Sequence, residues 1–545
     1  MLEPEVVPPP ATVEPVEEAE KAEGSLDLPS DGTVVRRAPI TFHGWTVFPS
    51  SPTARVELWL GDTPLGRARI GVPRPDVSQS EELPPDLAPG FELTAALQSW
   101  PGIDGEAGLR AVATSLSGER MELGPLSLTI APTANPQVSF PPPERTPQAD
   151  SKPGLRALVV THQLDLGGAQ LYLMDLLGEL LRTEAVNPTV VSGRDGPLRE
   201  SLEKAGVPVH ISGIAPPDSL GAHFGQVEEL VAWAADRSFE VAFVNTATSL
   251  AIAGAEVADR LGIPAIWAIH ESFEPSQLWS DIAPPVRKRA EAALAGVSRT
   301  LFVAEATQRL FEPVAGNGLT IPYGLDLKPI DSHRAAFDRD AVRQQRRIPT
   351  DAEVILCVGS IEPRKAQVPL AQAFDLLAAQ HPRARLVFVG GRNDAYSTFL
   401  ADYAAASGAA DRISIVPMTP DVQPWFGLAD IVACPSDIES MPRTVLEAMA
   451  WETPVLATNV FGLPELIEDG ESGWLCEARD LEALTAALDR ALASGAEERR
   501  RMGRAGRKLV EHRHSLERYG RKVSDLLEQA VASADNALLL DARTH

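Results

Sequence analysis

The apolar residues of this chain follow two different rhythms. From about Thr33 to Ile130 they alternate with polar residues in short runs, at Ala54 to Leu60, Leu65 to Val72, Phe91 to Leu97 and Leu109 to Ser115. Alternation places every second side chain on one face, and the turn signals Gly61-Asp62, Pro101-Gly102 and Ser117-Gly118 punctuate it, which predicts an antiparallel β-sandwich. After a proline-rich stretch the rhythm changes to unbroken apolar runs, at Leu155 to Thr161, Thr189 to Ser192, Val241 to Asn245 and Ala265 to Ile269, each followed by helical text. The pattern restarts at Val354 to Val358 and continues through Arg385 to Val389, Ile413 to Val416, Ile431 to Cys434 and Val455 to Ala457. Strands buried on both faces and alternating with helices predict an α/β fold with two doubly wound, Rossmann-like domains facing a cleft. The expected boundaries are a tail over 1–30, a sandwich over 31–131, a linker over 132–153, α/β domains over 154–325 and 326–530, and a tail over 531–545.

Ligands of such domains bind at the carboxyl ends of the strands, so the segments leaving those ends carry the candidate chemistry. The run Ile431 to Cys434 ends in PSDIESMPRTVLEAMA, which places Glu439 in a loop and Glu447 on the helix that follows. Ser440 is the expected N-cap, and Pro442 falls in the first turn, where its missing N–H costs nothing and the remaining N–H groups form an anion site. Two acids flanking an anion site suit a ligand with hydroxyls on both sides of a diphosphate, since carboxylates accept from hydroxyls while N–H groups take the phosphate charge.

Other segments occupy equivalent places. Gly359-Ser360-Ile361-Glu362-Pro363-Arg364-Lys365 leaves the first strand of the second sheet, and its adjacent cations suit a departing diphosphate. Gly167-Gly168 leaves the first strand of the first sheet without forming a G-x-G-x-x-G fingerprint, which weakens a hydride-transfer reading. His270-Glu271 closes the run Ala265 to Ile269, where the imidazole could bond a sugar hydroxyl or stabilise a developing cation. A charged surface pair, a packed histidine and a solvated helix acid are the plain alternatives for each of these residues taken alone. The D-x-D string at Asp338-Arg339-Asp340 sits in charged helical text with no preceding strand and reads as helix surface rather than a metal site.

Taken together, Glu439 and Glu447, the following Gly462-Leu463-Pro464-Glu465 and Asp469-Gly470, the Gly359 to Lys365 block and the hinge-like Ile321-Pro322-Tyr323-Gly324-Leu325-Asp326 resemble the retaining glycosyltransferases of family 4, which have the GT-B architecture. The resemblance covers about Leu155 to the region of Leu527; the sandwich, immunoglobulin-like but lacking the cysteine pair, lies outside it. It implies transfer of a sugar from a nucleoside-diphosphate sugar to a glycan, lipid-linked or small-molecule acceptor, without a metal or other cofactor. It also implies catalytic roles for His270, Arg364, Lys365 and Glu439, with Glu439 facing the donor sugar, and donor binding by Gly168, Gly359, Ser440, Met441, Pro442, Arg443 and Glu447, with Glu447 at the ribose. Ser360 stands where the family often has arginine, and Ser440-Met441-Pro442 where glycines are frequent. A sugar-nucleotide epimerase or phosphorylase on the same fold, and a non-catalytic carbohydrate- or partner-binding protein, stay open as alternatives.

Charge narrows the partners. A net charge of -26 over 545 residues argues against nucleic acid or anionic membrane as a general partner. The basic clusters Arg287-Lys288-Arg289 and Arg499 to Lys508 read as solvated helix faces. No window approaches the ~20 apolar residues of a membrane span, so only peripheral membrane contact stays open. The acidic, proline-rich start lacks the features of a secretory signal, and Cys357, Cys434 and Cys476 are too scattered for a disulfide framework, which together predict a cytoplasmic protein. The sandwich is expected to act as a spacer or association module, with Trp45, Trp59 and Trp100 in its core rather than in a carbohydrate site.

Overall fold

The computed structural model describes residues 22–131, apart from 29, 31–32, 37–38, 50, 81–87 and 97–104, and residues 154–544, apart from 420. The expected linker over 132–153, most of the expected tail over 1–30, and Trp100 lie outside the described residues.

Two sheets form the N-terminal unit. One has four antiparallel strands in the order Glu23–Leu28, Pro39–Val47, Gly90–Ala96 and Arg69–Val72; the other has five, Thr33–Arg36, Arg120–Ala131, Gly105–Ser115, Thr53–Leu60 and Thr63–Arg67. Alternation does the work expected of it: in Thr53–Leu60 every second side chain is buried, and Phe42, Val56, Leu58, Phe91 and Leu109 pack between the sheets. Three expectations need correction. The run Leu65 to Val72 is two strands in different sheets, because the chain passes from one to the other at buried Ala68. The expected tail over 1–30 already contains Glu23–Leu28, whose pairing with Pro39–Val47 satisfies a sheet edge. Trp45 and Trp59 are only half-buried, and Trp59 lies on the outward face beneath the Arg110 guanidinium.

Two parallel sheets follow. The first has the order Val209–Ile211, Val186–Ser192, Leu155–Thr161, Val241–Asn245, Ala265–Ile269, Arg299–Phe302 and Gly318–Thr320. The second runs Ile413–Pro417, Ala384–Gly391, Glu353–Val358, Ile431–Cys434, Val455–Thr458 and Gly473–Cys476. Helices cover their faces, so Val241–Asn245 and Ala265–Ile269 are buried at every residue, which is why they read as continuous apolar runs. In each sheet the order reverses beside the first strand, at Leu155–Thr161 with Val241–Asn245 and at Glu353–Val358 with Ile431–Cys434. The cleft lies over those switch points.

The chain crosses between these domains twice. Gly324 abuts the second crossing so closely that a Cβ would lie 2.5 Å from Leu516 Cα, and the Leu325 N–H donates to the His514 carbonyl at 2.8 Å. The boundary expected at 530 therefore falls inside the continuous helix Leu516–Thr544, which packs its buried Tyr519 and Leu527 back into the core of the first α/β domain. The β-sandwich does not stand apart either: it shares a core with the second domain, and a Cβ on Gly71 would lie 3.4 Å from the Pro369 ring.

The remaining polar segments are accounted for locally. Asp338 caps the helix Arg339–Gln345 by accepting from the Ala341 N–H, while Arg339 pairs with Asp430. Acids neutralise the basic clusters, as in Arg289 with Glu256, Arg499 with Glu353 and Arg507 with Asp331. All three cysteines are buried as free thiols, and no helix among the described residues is long and apolar enough to cross a membrane.

Candidate active site

At the switch point of the second sheet, backbone crowding aims the loop. Gly359 and Gly390 have φ of +146° and +132°, and a Cβ on Gly390 would lie 2.0 Å from the Gly359 carbonyl oxygen. Only glycine fits that approach. It delivers the short helix Pro363–Lys365 against the loop that follows Ile431–Cys434. The two segments then zip together: the Asp437 N–H donates to the Arg364 carbonyl at 2.8 Å, and Arg364 Nη1 donates to the Ile438 carbonyl at 3.1 Å. Lys365 forms an ion pair with Glu439, Ser436 Oγ donates to the same carboxylate at 3.0 Å, and Arg364 stands 3.6 Å from it. Burial alone would raise the Glu439 pKa, but the Lys365 and Arg364 charges outweigh it and hold the group below the ordinary carboxylate range.

Glu447 is shifted the other way. It is buried on the helix Arg443–Ala450, and burial raises its pKa more than the adjacent Arg443, 3.0 Å away, lowers it. Arg443 also forms an ion pair with Asp175 on the helix Gly168–Arg182 of the opposite domain and lies over the Tyr172 ring. The N-cap of Arg443–Ala450 is Pro442, not Ser440, because the chain is still extended at Pro442 and the Val445 N–H already bonds its carbonyl. The N–H groups of Arg443 and Thr444 are left at the helix start. The Ser440 hydroxyl crosses the cleft instead, donating to the His270 carbonyl at 2.6 Å and meeting Ser272 Oγ at 2.8 Å, which in turn meets Thr307. Met441 is buried, and its carbonyl accepts from the Tyr172 hydroxyl at 3.4 Å.

The first domain contributes a polar cluster at its own switch point. His270 Nε2 is 2.7 Å from Asn245 Oδ1, an acceptor, so Nε2 carries the proton and Nδ1 is the acceptor. Nδ1 is buried and has no hydrogen-bond partner among the described residues. Burial, with His162 nearby, lowers the His270 pKa to about 3, so the ring is neutral and suits a hydroxyl donor rather than serving as a cation. His162 bonds Thr246 and Gln170, and Tyr323 stacks between His270 and Tyr172. In the nearby loop a Cβ on Gly167 would lie 2.4 Å from Gln170 Oε1, the movable end of a side chain, while a Cβ on Gly168 would meet open space.

Every sequence-predicted site residue lies at one of these two switch points. Their grouping is uneven, since Glu439, Arg364 and Lys365 touch, Ser440 meets the His270 backbone, and Gly168 is exposed with open space around its α-carbon. Asn245, His162, Asp175 and Tyr172 were not anticipated at the site, and Tyr323 was expected only as part of the hinge. Asn245 ends an apolar strand run and His162 directly follows one, a readable signal; Tyr172 and Asp175 carry none, because their polar partners Met441 and Arg443 come from the other domain.

The chain is similar in sequence and fold to several known proteins. Residues 166–328 match the family described as Glycosyltransferase Family 4, and residues 338–509 match Glycosyl transferases group 1. The D-inositol 3-phosphate glycosyltransferase of Streptosporangium roseum is 36% identical over 267 residues, 44% of this chain and 60% of that relative. The GDP-mannose-dependent alpha-(1-6)-phosphatidylinositol monomannoside mannosyltransferase of Mycolicibacterium smegmatis is 28% identical over 381 residues, covering 66% of this chain and 94% of that protein. Anabaena HepE, solved in complex with UDP and glucose, superposes with a TM-score of 0.58 over 69% of this chain and 100% of its own, at 20% identity. With two doubly wound domains of the GT-B type and both family matches falling on them, the chain belongs to glycosyltransferase family 4.

Proposed function

We propose that the protein is a retaining glycosyltransferase that moves a sugar from a nucleoside-diphosphate sugar to a hydroxyl of a glycan, lipid-linked or small-molecule acceptor. The observation that carries this reading is the convergence of Arg364, Lys365 and Glu439 at one switch point, across the cleft from the unpartnered Nδ1 of His270. Glu439, held ionised, accepts hydrogen bonds from hydroxyls of the donor sugar. The anomeric C–O bond to the diphosphate breaks, and the charge left on the departing oxygen is met by Arg364, Lys365 and the N–H groups at the start of Arg443–Ala450. The acceptor hydroxyl attacks from the same face, and its proton passes to the departing diphosphate. Two cations already held in place by Glu439 cost no reorganisation when charge develops, and they supply the neutralisation a divalent ion would otherwise provide.

His270 Nδ1 accepts from a sugar hydroxyl. Glu447 lies on the ribose side with Arg443, and Gly168 and Gly359 leave room for ligand at the two switch points. The names of the relatives favour an acceptor with vicinal hydroxyls, and UDP and GDP are the nucleotides to try first. Purified protein is titrated with UDP-glucose and GDP-mannose, following nucleotide release with and without polyol acceptors. Release that depends on Lys365 and Glu439, with retention at the anomeric carbon, is expected; no binding of any nucleoside diphosphate would refute the reading.

A further inference from the structure

The loop carrying Glu439 is anchored at each residue, and one anchor comes from outside the α/β domains. Ser436 is held by Thr458 through its carbonyl, Ile438 by Arg364, and Ser440 by Ser272 and the His270 carbonyl. Asp437, with its side chain only 2% exposed, accepts from Arg69 Nε at 2.6 Å. Arg69 lies on the strand Arg69–Val72 of the β-sandwich, 368 residues away in sequence, and its other end pairs with Glu92 on the neighbouring strand. A second guanidinium, Arg479, stands 3.5 Å from the same Asp437 oxygen, and it donates to the Arg67 carbonyl of the sandwich at 2.8 Å. Arg67 completes the seam by pairing with Asp480 at 3.1 Å.

Resting on the transferase reading above, we propose that the β-sandwich completes the donor site, with Arg69 as a positioning residue that sets Glu439 and Lys365 through Asp437. The lever is short. Asp437 precedes Glu439 by two residues, and its backbone N–H holds the Arg364 carbonyl, so a displaced Asp437 moves the acid and both cations of the site together. A buried carboxylate that loses its nearer guanidinium is left with the more distant Arg479 as its cation and shifts toward it or toward water. The outer end of Arg69 is fixed by Glu92, so the position of the loop is read from the sandwich strands rather than from the α/β domain alone. A spacer would have no such contact.

The test compares Arg69→Met, which keeps the stem but loses the charge, and Arg69→Lys with the full-length wild type. Arg55→Ala serves as a control, since it breaks another seam contact, 3.8 Å to the exposed Glu482, without touching the loop. Titration with UDP and GDP and steady-state nucleotide release are read beside thermal melting and amide hydrogen exchange. Arg69→Met is expected to weaken nucleotide binding or kcat/KM by about 10–100-fold, as misplaced groups do, and to speed exchange over 436–440 and 363–366. Arg69→Lys recovers most of the loss, and Arg55→Ala leaves both readouts unchanged. Wild-type binding, turnover and exchange in Arg69→Met would overturn the proposal while the transferase reading stands. If the wild type binds no nucleotide, the transferase reading fails, and exchange over 436–440 still decides whether Arg69 positions the loop.

Discussion

Arg443 reaches across the cleft to Asp175, so the helix behind the acidic loop of one domain is tied to the first helix of the other. This pair joins the Ser440 contacts with His270 and Ser272 and the Tyr172–Met441 bond as polar bridges across the cleft, which together resist parting of the domains. Asp175→Asn is expected to weaken closure by about 1–2 kcal/mol, the worth of a charge-assisted bond, while Arg443 stays paired with Glu447. A larger radius of gyration by small-angle scattering and faster hydrogen exchange in Gly168–Arg182 check this, and unchanged values in both would contradict it.

Lys365→Met leaves Glu439 buried with Arg364 at 3.6 Å as its remaining cation. The expected cost is about 2–4 kcal/mol in stability, that of a buried charge losing its partner. Sugar transfer should fall by about 100-fold or more, as when a charge-stabilising donor is removed. Denaturant melts and turnover measured on the same preparation separate the two effects.

Three histidines with depressed pKa values make stability depend on pH. His162 and His514 are lowered to about 4 and His270 to about 3, in each case chiefly by burial. In the unfolded chain these imidazoles bind protons near 6.5, so between 6.5 and about 4 the unfolded state holds more protons than the folded one and stability falls as pH drops. The combined slope should reach about 2–4 kcal/mol per pH unit, from a linkage of about 1.4 for each group. Urea midpoints across this window check it, and His514→Gln should remove roughly a third of the slope.

Since His270 stays neutral, kcat should show no inflection near 6.5 that is abolished by His270→Asn. Asn245→Ala frees the ring to change tautomer, and kcat should fall about tenfold, the smaller end of what a misplaced polar group costs, with nucleotide affinity unchanged. Parallel pH–rate profiles and nucleotide titrations test both statements.

Two glycines should respond in opposite ways. Gly390→Ala places a Cβ 2.0 Å from a carbonyl oxygen at φ +132°, and a loss of about 3 kcal/mol or more is expected. Gly168→Ala meets open space in a helix, so melting should hold or rise, by up to about 1 kcal/mol. A raised KM in that stable variant would mean that ligand passes close to Gly168.

Much of the α/β architecture was legible because a doubly buried strand writes itself as an apolar run. Leu155–Thr161, Val241–Asn245, Ala265–Ile269 and Ile431–Cys434 begin and end where the runs do. The sandwich was read less well, since Leu65 to Val72 looks continuous while the chain changes sheets at Ala68. At the site, residue types and strand-end positions were readable, but partners were not. Ser440 has the composition of an N-cap, yet its hydroxyl is drawn to the His270 carbonyl of the other domain.

What the sequence by itself determined is local: the period of its apolar residues, the glycines that permit tight loops, and the seven-residue interval that puts Glu439 in a loop and Glu447 on a helix. Tertiary structure alone decided what each charge faces. Lys365 meets Glu439 across 74 residues, Arg443 meets Asp175 across 268, and Arg69 meets Asp437 across 368. The reason is physical: an ion pair depends on which strands share a switch point and which domains share a seam, and no local preference records that. The same packing made one acid strongly ionised and the other reluctant to ionise, although both are the same residue type in a single motif.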